Sequence, residues 1–415
     1  MNAILTQPTV LVGIDWADQT HAWHLQHGQD QLAGVLEQDA EVIQQWTGQL
    51  REQYPDCQFA IAIETTKGPL ISALLTHQDI TIYPVNPAAL AAYRKAFAHG
   101  GGKNDPGDAL LLCDYLQHYI QKLRPLRYDQ PLTRELAAMA EDRRRLVDQR
   151  TAHCNELKAV LKSYFPEVLK LGAAKIYADF ILAFLLKHPN LASAQQAGAV
   201  KLRKLFFGVG TRSKAQQRVE LLIAATQLTD EPVLIQTCSM RVTALVNLIQ
   251  TYNQQVRIYD DKLSEAVTHH EDYAIFKSLP GASTLTQSRM IAAMGDDRTR
   301  YGDASSLQAA TGIAPLTTQS GKQRFVSSRW ACTKFMKQTF HEFAGLSIKK
   351  SKWAAAYYQM QKDKGKSPQM AKRALAYKWQ RVIFRCWQER VPYDENKYTQ
   401  RLKKTGSPLY ELINQ

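Results

Sequence analysis

Val10-Leu11-Val12-Gly13-Ile14-Asp15 and Phe59-Ala60-Ile61-Ala62-Ile63-Glu64 are two apolar runs, each closed by a carboxylate. Runs this short and this apolar read as buried strands. A carboxylate at the end of a buried strand is costly unless something there uses its charge. Two more follow in Lys103-Asn104-Asp105-Pro106-Gly107-Asp108, so spaced that a helix starting there presents both near one face. Several carboxylates converging from different elements are what a pair of divalent cations requires. Each residue also has a plainer reading. Asp105 before Pro106 suits a helix N-cap, Asp108 suits the positive end of a helix dipole, and Asp15 suits a strand-end turn. Glu64, closing a fully apolar strand before Thr65-Thr66, is the hardest to dismiss. Asp18 and Asp114 read as bystanders.

Outward from these runs, residues 9–15 form the first strand. Thr20 to His27 and Gln31 to Gln38 read as two more, with the turn signal His27-Gly28-Gln29-Asp30 between them. Glu41 to Tyr54 reads as a helix with Ile43, Trp46 and Leu50 on one face. Gln58 to Glu64 is a strand, Pro69 to His77 a helix, Ile80 to Val85 a strand and Pro87 to Phe97 a helix. The loop Gly100-Gly101-Gly102 precedes a further helix from Pro106. Three strands, then helix, strand, helix, strand, helix is the chain order of the ribonuclease H-like fold. The elements come from pattern, and the fold from analogy to that order.

The rest of the chain reads as mainly helical. A long helix is predicted from Leu132 to Tyr164, ended by Pro166, with Ala140, Val147, Cys154, Leu157, Leu161 and Tyr164 at helical spacing and Arg143 and Arg150 interrupting them. A second runs from about Met240 to His269 with a seam of Leu245, Leu248, Tyr252, Val256, Tyr259 and Leu263. Such a pair suits an antiparallel coiled-coil-like arm, a subunit interface, or plain core helices. Ser278-Leu279-Pro280-Gly281-Ala282-Ser283 leads into a helix from Leu285 to Met294. Its glycine turn either aims backbone N–H groups at a phosphate, as in helix-hairpin-helix modules, or simply packs two helices. Asp303 is positioned to cap a helix from Ala304 to Thr311, with Gly312 as its stop. The expected organisation is α/β plus α: an α/β domain at 8–130, a helical, coiled-coil region at 131–270 and a mainly helical domain at 271–400.

Lys and Arg number 52 against 38 Asp and Glu, a formal charge of +14. That excess favours a polyanionic partner such as nucleic acid. The basic runs Arg143-Arg144-Arg145, Lys349-Lys350 and Lys403-Lys404, together with Lys103, Lys372 and Arg373, are candidates for contact with it, although such runs are commonly solvated faces. No membrane partner is expected, since the most tempting apolar stretch, Phe180 to Leu186, is far short of the roughly 20 residues a span needs. The six cysteines form no CxxC pair, which argues against a zinc ribbon and for reduced thiols in the cytoplasm.

Gly312-Ile313-Ala314-Pro315-Leu316-Thr317-Thr318-Gln319-Ser320-Gly321-Lys322-Gln323-Arg324 reads as a polar loop. A serine hydroxyl becomes a nucleophile only when a base or metal activates it. Gly321 allows close approach of a phosphate, and Lys322 and Arg324 offer positive charge to it. From the residues alone, Ser-Gly-Lys is also a common surface turn.

Taken together, Asp15, Glu64, Asp105, Asp108, then Leu279-Pro280-Gly281, Gly312-Ile313-Ala314-Pro315 and Ser320-Gly321 resemble the DEDD transposases of the insertion sequence 110 family. The resemblance covers almost the whole chain. It implies a RuvC-like ribonuclease H-fold domain, a coiled-coil region and a C-terminal transposase domain. It further implies a recombinase that excises and inserts its own element, guided by a structured bridge RNA that pairs with target and donor DNA. Asp15, Glu64, Asp105 and Asp108 would bind Mg²⁺, as two ions, or Mn²⁺. Ser320 would be the nucleophile of a covalent phosphoserine link to DNA. Many relatives carry two adjacent serines before the glycine, where this chain has Gln319-Ser320. A composite site of this kind implies a homo-oligomer, a dimer or tetramer, in a prokaryotic cytoplasm and on the nucleoid when DNA-bound. The alternatives are a RuvC-like nuclease or resolvase in which water attacks, and a non-catalytic RNA-binding protein. A sugar kinase or actin-like ATPase would need further glycine-rich phosphate loops, which are not found.

Overall fold

Continuous apolar runs need neighbours on both sides, and the first compact unit, residues 1–128, supplies them. The structure, a computed structural model, describes residues 8–97, 105–172, 175–210, 212–321, 323–330 and 332–414. In the first unit β1 (Thr9–Asp15) pairs antiparallel with β2 (Thr20–His27), which pairs antiparallel with β3 (Asp30–Glu37). β4 (Gln58–Ile63) runs parallel to β1, and β5 (Ile80–Pro84) parallel to β4, so the order is β3-β2-β1-β4-β5. The most apolar strands, β1 and β4, therefore lie inside the sheet. β3, with only Leu36 buried, forms one edge. Gly28, at a φ of 60°, makes the two-residue turn between β2 and β3 that the sequence signalled.

α1 (Ala40–Gln53) begins at Asp39, whose carboxylate accepts from the amides of Glu41 and Val42, and it buries Ile43, Trp46 and Leu50 as expected. α2 (Pro69–Leu74) stops short of His77. α3 (Pro87–Phe97) and α4 (Asp105–Tyr119) complete the unit. One residue sets how closely α4 lies on the sheet. A Cβ on Gly13 would stand 2.1 Å from the Ala109 carbonyl oxygen and 2.4 Å from the Cys113 nitrogen. Helix backbone thus rests directly on the centre of β1, a packing only glycine permits.

The second unit, residues 129–415, is mainly helical. α5 (Pro131–Tyr164) is followed by α6 (Asp179–Lys187), α7 (Leu191–Gly208), α8 (Ala215–Ala224) and α9 (Pro232–Ala266). α5 and α9 are antiparallel partners. Thr133 bonds His270, Arg143 pairs with Asp260, Arg150 donates to Asn253 and Arg241 pairs with Glu156, so numbers rise along one helix as they fall along the other. Two of those contacts explain the interruptions in the α5 pattern, since Arg143 and Arg150 are polar bridges across the pair. The α9 seam differs from the one read in the sequence. Val242, Leu245, Val246, Ile249, Asn253, Val256 and Leu263 are buried, whereas Leu248 is exposed. Periodicity alone left the phase open because apolar residues occur on both sides of this helix. For the same reason, the absence of a long apolar helix expected from the sequence needs correction. The segment Pro232–His269 is long and apolar enough to cross a membrane by length and composition. Here it packs along α5.

α6 to α8 close one end of the pair around Phe165, Phe184 and Phe206. The other end, from Leu136 and Ala140 to Leu263, joins a second core. That core is built from α10 (Tyr273–Lys277), α11 (Thr284–Met294), α12 (Ala304–Ala310), α13 (Lys334–Ser347), α14 (Lys352–Asp363), α15 (Pro368–Glu389), α16 (Glu395–Lys404) and α17 (Pro408–Asn414). Its three fully buried tryptophans keep their indole N–H groups bonded: Trp353 to the Tyr393 hydroxyl, Trp379 to the Ser347 hydroxyl and Trp387 to the Gly295 carbonyl. Asp303 caps α12 as expected, accepting from the Ser306 amide. The stretch read as a polar loop is instead a two-stranded ribbon, β6 (Leu316–Ser320) and β7 (Gln323–Ser327). Its polar, threonine-rich alternation has no buried face to mark a strand.

Candidate active site

The register of β1 on β4 pairs Ile14 with Ile63, so the next residues, Asp15 and Glu64, leave the same edge of the sheet on neighbouring strands. α4 crosses β1 at Gly13, and Asp108 lies one residue before the Ala109 contact. The three elements that carry the acidic residues therefore meet at the carboxyl ends of the central strands. Asp15 is half-buried, Glu64 and Asp105 are exposed, and Asp108 is buried. Asp108 accepts a 2.5 Å bond from the Arg94 guanidinium of α3. Four carboxylates are the right donor class for a hard cation such as Mg²⁺. In the described structure no three His, Cys, Asp or Glu side chains are gathered closely enough to hold one. A cation is already beside Asp108, and it belongs to the protein. The two expected bystanders stay outside this group: Asp18 is exposed, and Asp114 accepts from the Tyr93 hydroxyl.

Ser320 closes the ribbon. It pairs with Gln323 at the last rung before the tip, where Gly321 has a φ of 58°. All described residues of both strands are exposed. Strand alternation places Leu316, Thr318, Ser320, Gln323 and Phe325 on one face, and Thr317, Gln319, Arg324 and Val326 on the other. Arg324 and Ser320 are therefore on opposite faces of the ribbon. The Ser320 hydroxyl makes no hydrogen bond among the described residues, and the sequence from Ala304 to His341 holds no Asp or Glu. The ribbon is rooted by Arg373 of α15, which donates to the Gly312 and Ile313 carbonyls on one side and to the Ser328 hydroxyl on the other.

Both halves of this arrangement match known transposase sequences. The DEDD transposase model of the IS110 group, described as "Transposase", matches residues 12–166, the stretch that holds all four carboxylates. A second, described as "Transposase IS116/IS110/IS902 family", matches residues 273–359, which hold Ser320. The chain belongs to the IS110 family of transposases. It is 27% identical over 406 residues to the mini-circle protein of IS117 from Streptomyces coelicolor, named for a transposase, across 94% of this chain and 96% of that one. It is 21% identical to the 43.6 kDa protein of insertion element IS110 from the same organism, across 71% and 73% of the two chains. It is 22% identical to the 42 kDa protein of insertion element IS900 from Mycobacterium paratuberculosis, again across 71% and 73%. The protein is thus a transposase, an enzyme that acts on DNA.

Several basic residues singled out as nucleic-acid contacts have other partners in this transposase. Arg143 bonds Asp260 at 2.7 and 3.2 Å, Arg144 bonds Asp148, and Arg145 bonds Asp142. Arg373 is the root of the ribbon. Lys372 lies with its stem near Gly345. A Cβ on Gly281 (φ 82°) would meet the Leu346 carbonyl of α13 at 2.9 Å, so this glycine packs two segments closely. Lys103, Lys322 and the Gly100–Asn104 loop lie outside the described residues. Arg94 and Gly13 are the residues the sequence reading missed, and Arg373, read there as a nucleic-acid contact, bonds the ribbon instead. Only Gly13 left a trace, as a lone glycine inside an apolar strand.

Proposed function

We propose that this transposase excises and inserts an insertion sequence by attack of Ser320 on a DNA phosphodiester, with Asp15, Glu64, Asp105 and Asp108 as the ligands of divalent metal. The observation that carries this reading is the isolation of the serine. A nucleophilic hydroxyl requires a base or a metal beside it. Neither its own ribbon nor the sequence from Ala304 to His341 provides a carboxylate, whereas the other family-matched segment carries the four candidate metal ligands. In this reading the metal held by those four carboxylates is the activating group. When bound, Mg²⁺ would supply positive charge to the departing oxygen and acidify an attacking one. Ser320 Oγ forms the new P–O bond, its proton passes to a base, and the displaced deoxyribose oxygen leaves as a hydroxyl. Reversal on a new strand restores the serine and joins the DNA. The phosphodiester energy is kept, and no nucleotide triphosphate is consumed.

The sheet order, with two antiparallel strands beside a parallel trio, supports a ribonuclease H-like, RuvC-like assignment for 8–130. The helix pair supports a coiled-coil region at 131–270, ahead of a transposase domain at 271–400. The excess of positive charge supports a structured bridge RNA and DNA as partners, in a homo-oligomer acting in the cytoplasm. The test is to incubate the protein with labelled element-junction DNA and Mg²⁺, digest it, and map the adducted peptide. A DNA adduct on Ser320, absent in Ser320→Ala, is expected. Cleavage by Ser320→Ala at the native rate would identify a water-activated nuclease instead.

A further inference from the structure

The C-terminal helices enclose a cleft of about 640 Å³ to which none of the readings above gives a role. Lys378, Arg381 and Arg385 of α15 and Lys397 and Arg401 of α16 line it. On α15 the three cations sit at i, i+3 and i+7, which is one helical face, and on α16 the two sit at i and i+4. The two faces therefore direct five positive side chains at one space. Its acidic residues are already engaged. Glu389 pairs with Arg385 at 2.8 Å, and Asp394 caps α16 by accepting from the Asn396 and Lys397 amides. Arg381, Lys397 and Arg401 are exposed and have no carboxylate partner among the described residues. Lys378 lies over the Tyr357 ring, and burial, with a smaller contribution from Arg381, pushes its pKa down. Holding like charges together is costly unless an anion joins them.

We propose that this cleft binds the phosphodiester backbone of duplex DNA, the substrate class of the family. Like charges on α15 spread over about 10 Å of helix axis. That is the rise of about three phosphates along one strand. The inference rests on membership of a DNA-acting family, and not on Ser320 or the carboxylates. Failure of the serine mechanism would leave it standing.

The test is fluorescence anisotropy of the full-length protein with a labelled DNA duplex, from 50 to 300 mM salt. Arg381→Ala/Arg401→Ala is compared with Lys362→Ala/Lys364→Ala, a control pair exposed on the surface outside the cleft. Each backbone contact contributes a slope of about 0.9 to log affinity against log salt. The cleft variant is expected to lose a slope of about 2 and to bind between about tenfold and a hundredfold more weakly at 100 mM salt. The control should lose far less. Circular dichroism and thermal melting verify folding, and Arg381→Lys/Arg401→Lys, which keeps the charge, should recover most of the affinity. Unchanged DNA affinity and slope in the alanine variant overturn the proposal. So does a loss confined to a labelled RNA hairpin, which would assign the cleft to RNA.

Discussion

Gly13→Ala tests whether the contact of α4 on β1 sets the position of the candidate site. The added methyl would sit 2.1 Å from the Ala109 carbonyl oxygen, 2.4 Å from the Cys113 nitrogen and 2.9 Å from the Leu112 Cβ. Two of these three neighbours are backbone atoms, which no rotamer change can move. To reach ordinary contact the helix must retreat from the sheet by about 1 Å, or the strand must bend. Overpacking of this kind costs about 1–3 kcal/mol. The retreat also carries Asp108 away from the ends of β1 and β4, and a misplacement of about 1 Å in a catalytic constellation costs on the order of a hundredfold in rate. Urea unfolding gives the first quantity and single-turnover strand joining the second. Gly48→Ala is the control, since an added Cβ there meets nothing within 4 Å and the site is inside α1. It should gain roughly 0.5–1 kcal/mol. Wild-type stability in Gly13→Ala would refute the packing argument. A destabilised variant that joins strands at the native rate would refute the link from this contact to the site.

Arg94→Gln removes the guanidinium that neutralises Asp108. Its melting temperature should fall without Mg²⁺ and recover by more than the wild type's when Mg²⁺ is added, and an equal Mg²⁺-induced rise in both would show that the pair does not compete with metal. Arg373→Ala deletes three hydrogen bonds at the root of the ribbon. Charge-assisted bonds of this kind contribute about 1.5–3 kcal/mol each, so proteolysis between Gly312 and Trp330 should speed up by at least tenfold. Arg373→Lys should not restore protection, because one ammonium does not span three acceptors, and native resistance in either variant counts against the clamp. Burial lowers the pKa of His21, His24, His188 and His341 below the ordinary 6.5. The unfolded chain then takes up protons first as pH falls. Their contribution to stability is complete above pH 6.5 and is lost as pH drops through 6.5 toward the lower folded values, by up to about 1.4 kcal/mol per pH unit for each. Urea midpoints at pH 7.5, 6.5 and 5.5 should decline in that order, and a flat series would sink the assignment.

The order of elements in the first unit was legible because each element carries its own signal. Apolar runs gave β1 and β4, Gly28 gave the hairpin, and the spacing of Ile43, Trp46 and Leu50 gave α1. The ribbon was not legible. Thr317, Thr318 and Gln319 have no buried face to betray a strand, and its pairing is held at the root by Arg373, about 50 residues away in sequence. The roles of the arginines were equally hidden, because a cation on a helix surface looks the same whether it meets Asp260, a ribbon carbonyl or solvent.

By itself the sequence determined most of the strands and helices, the ribbon excepted, where four carboxylates and a serine fall along the chain, and that the whole is strongly basic. Those are local properties, fixed by periodicity, capping and charge. Only the tertiary structure decided that α4 rests on Gly13, that Arg94 occupies Asp108, that α5 and α9 run antiparallel with Leu248 turned outward, and that five cations face one cleft. Each of these is a choice of partner through space, made by packing and by the cost of leaving buried charge unpaired, and no window of sequence contains both partners.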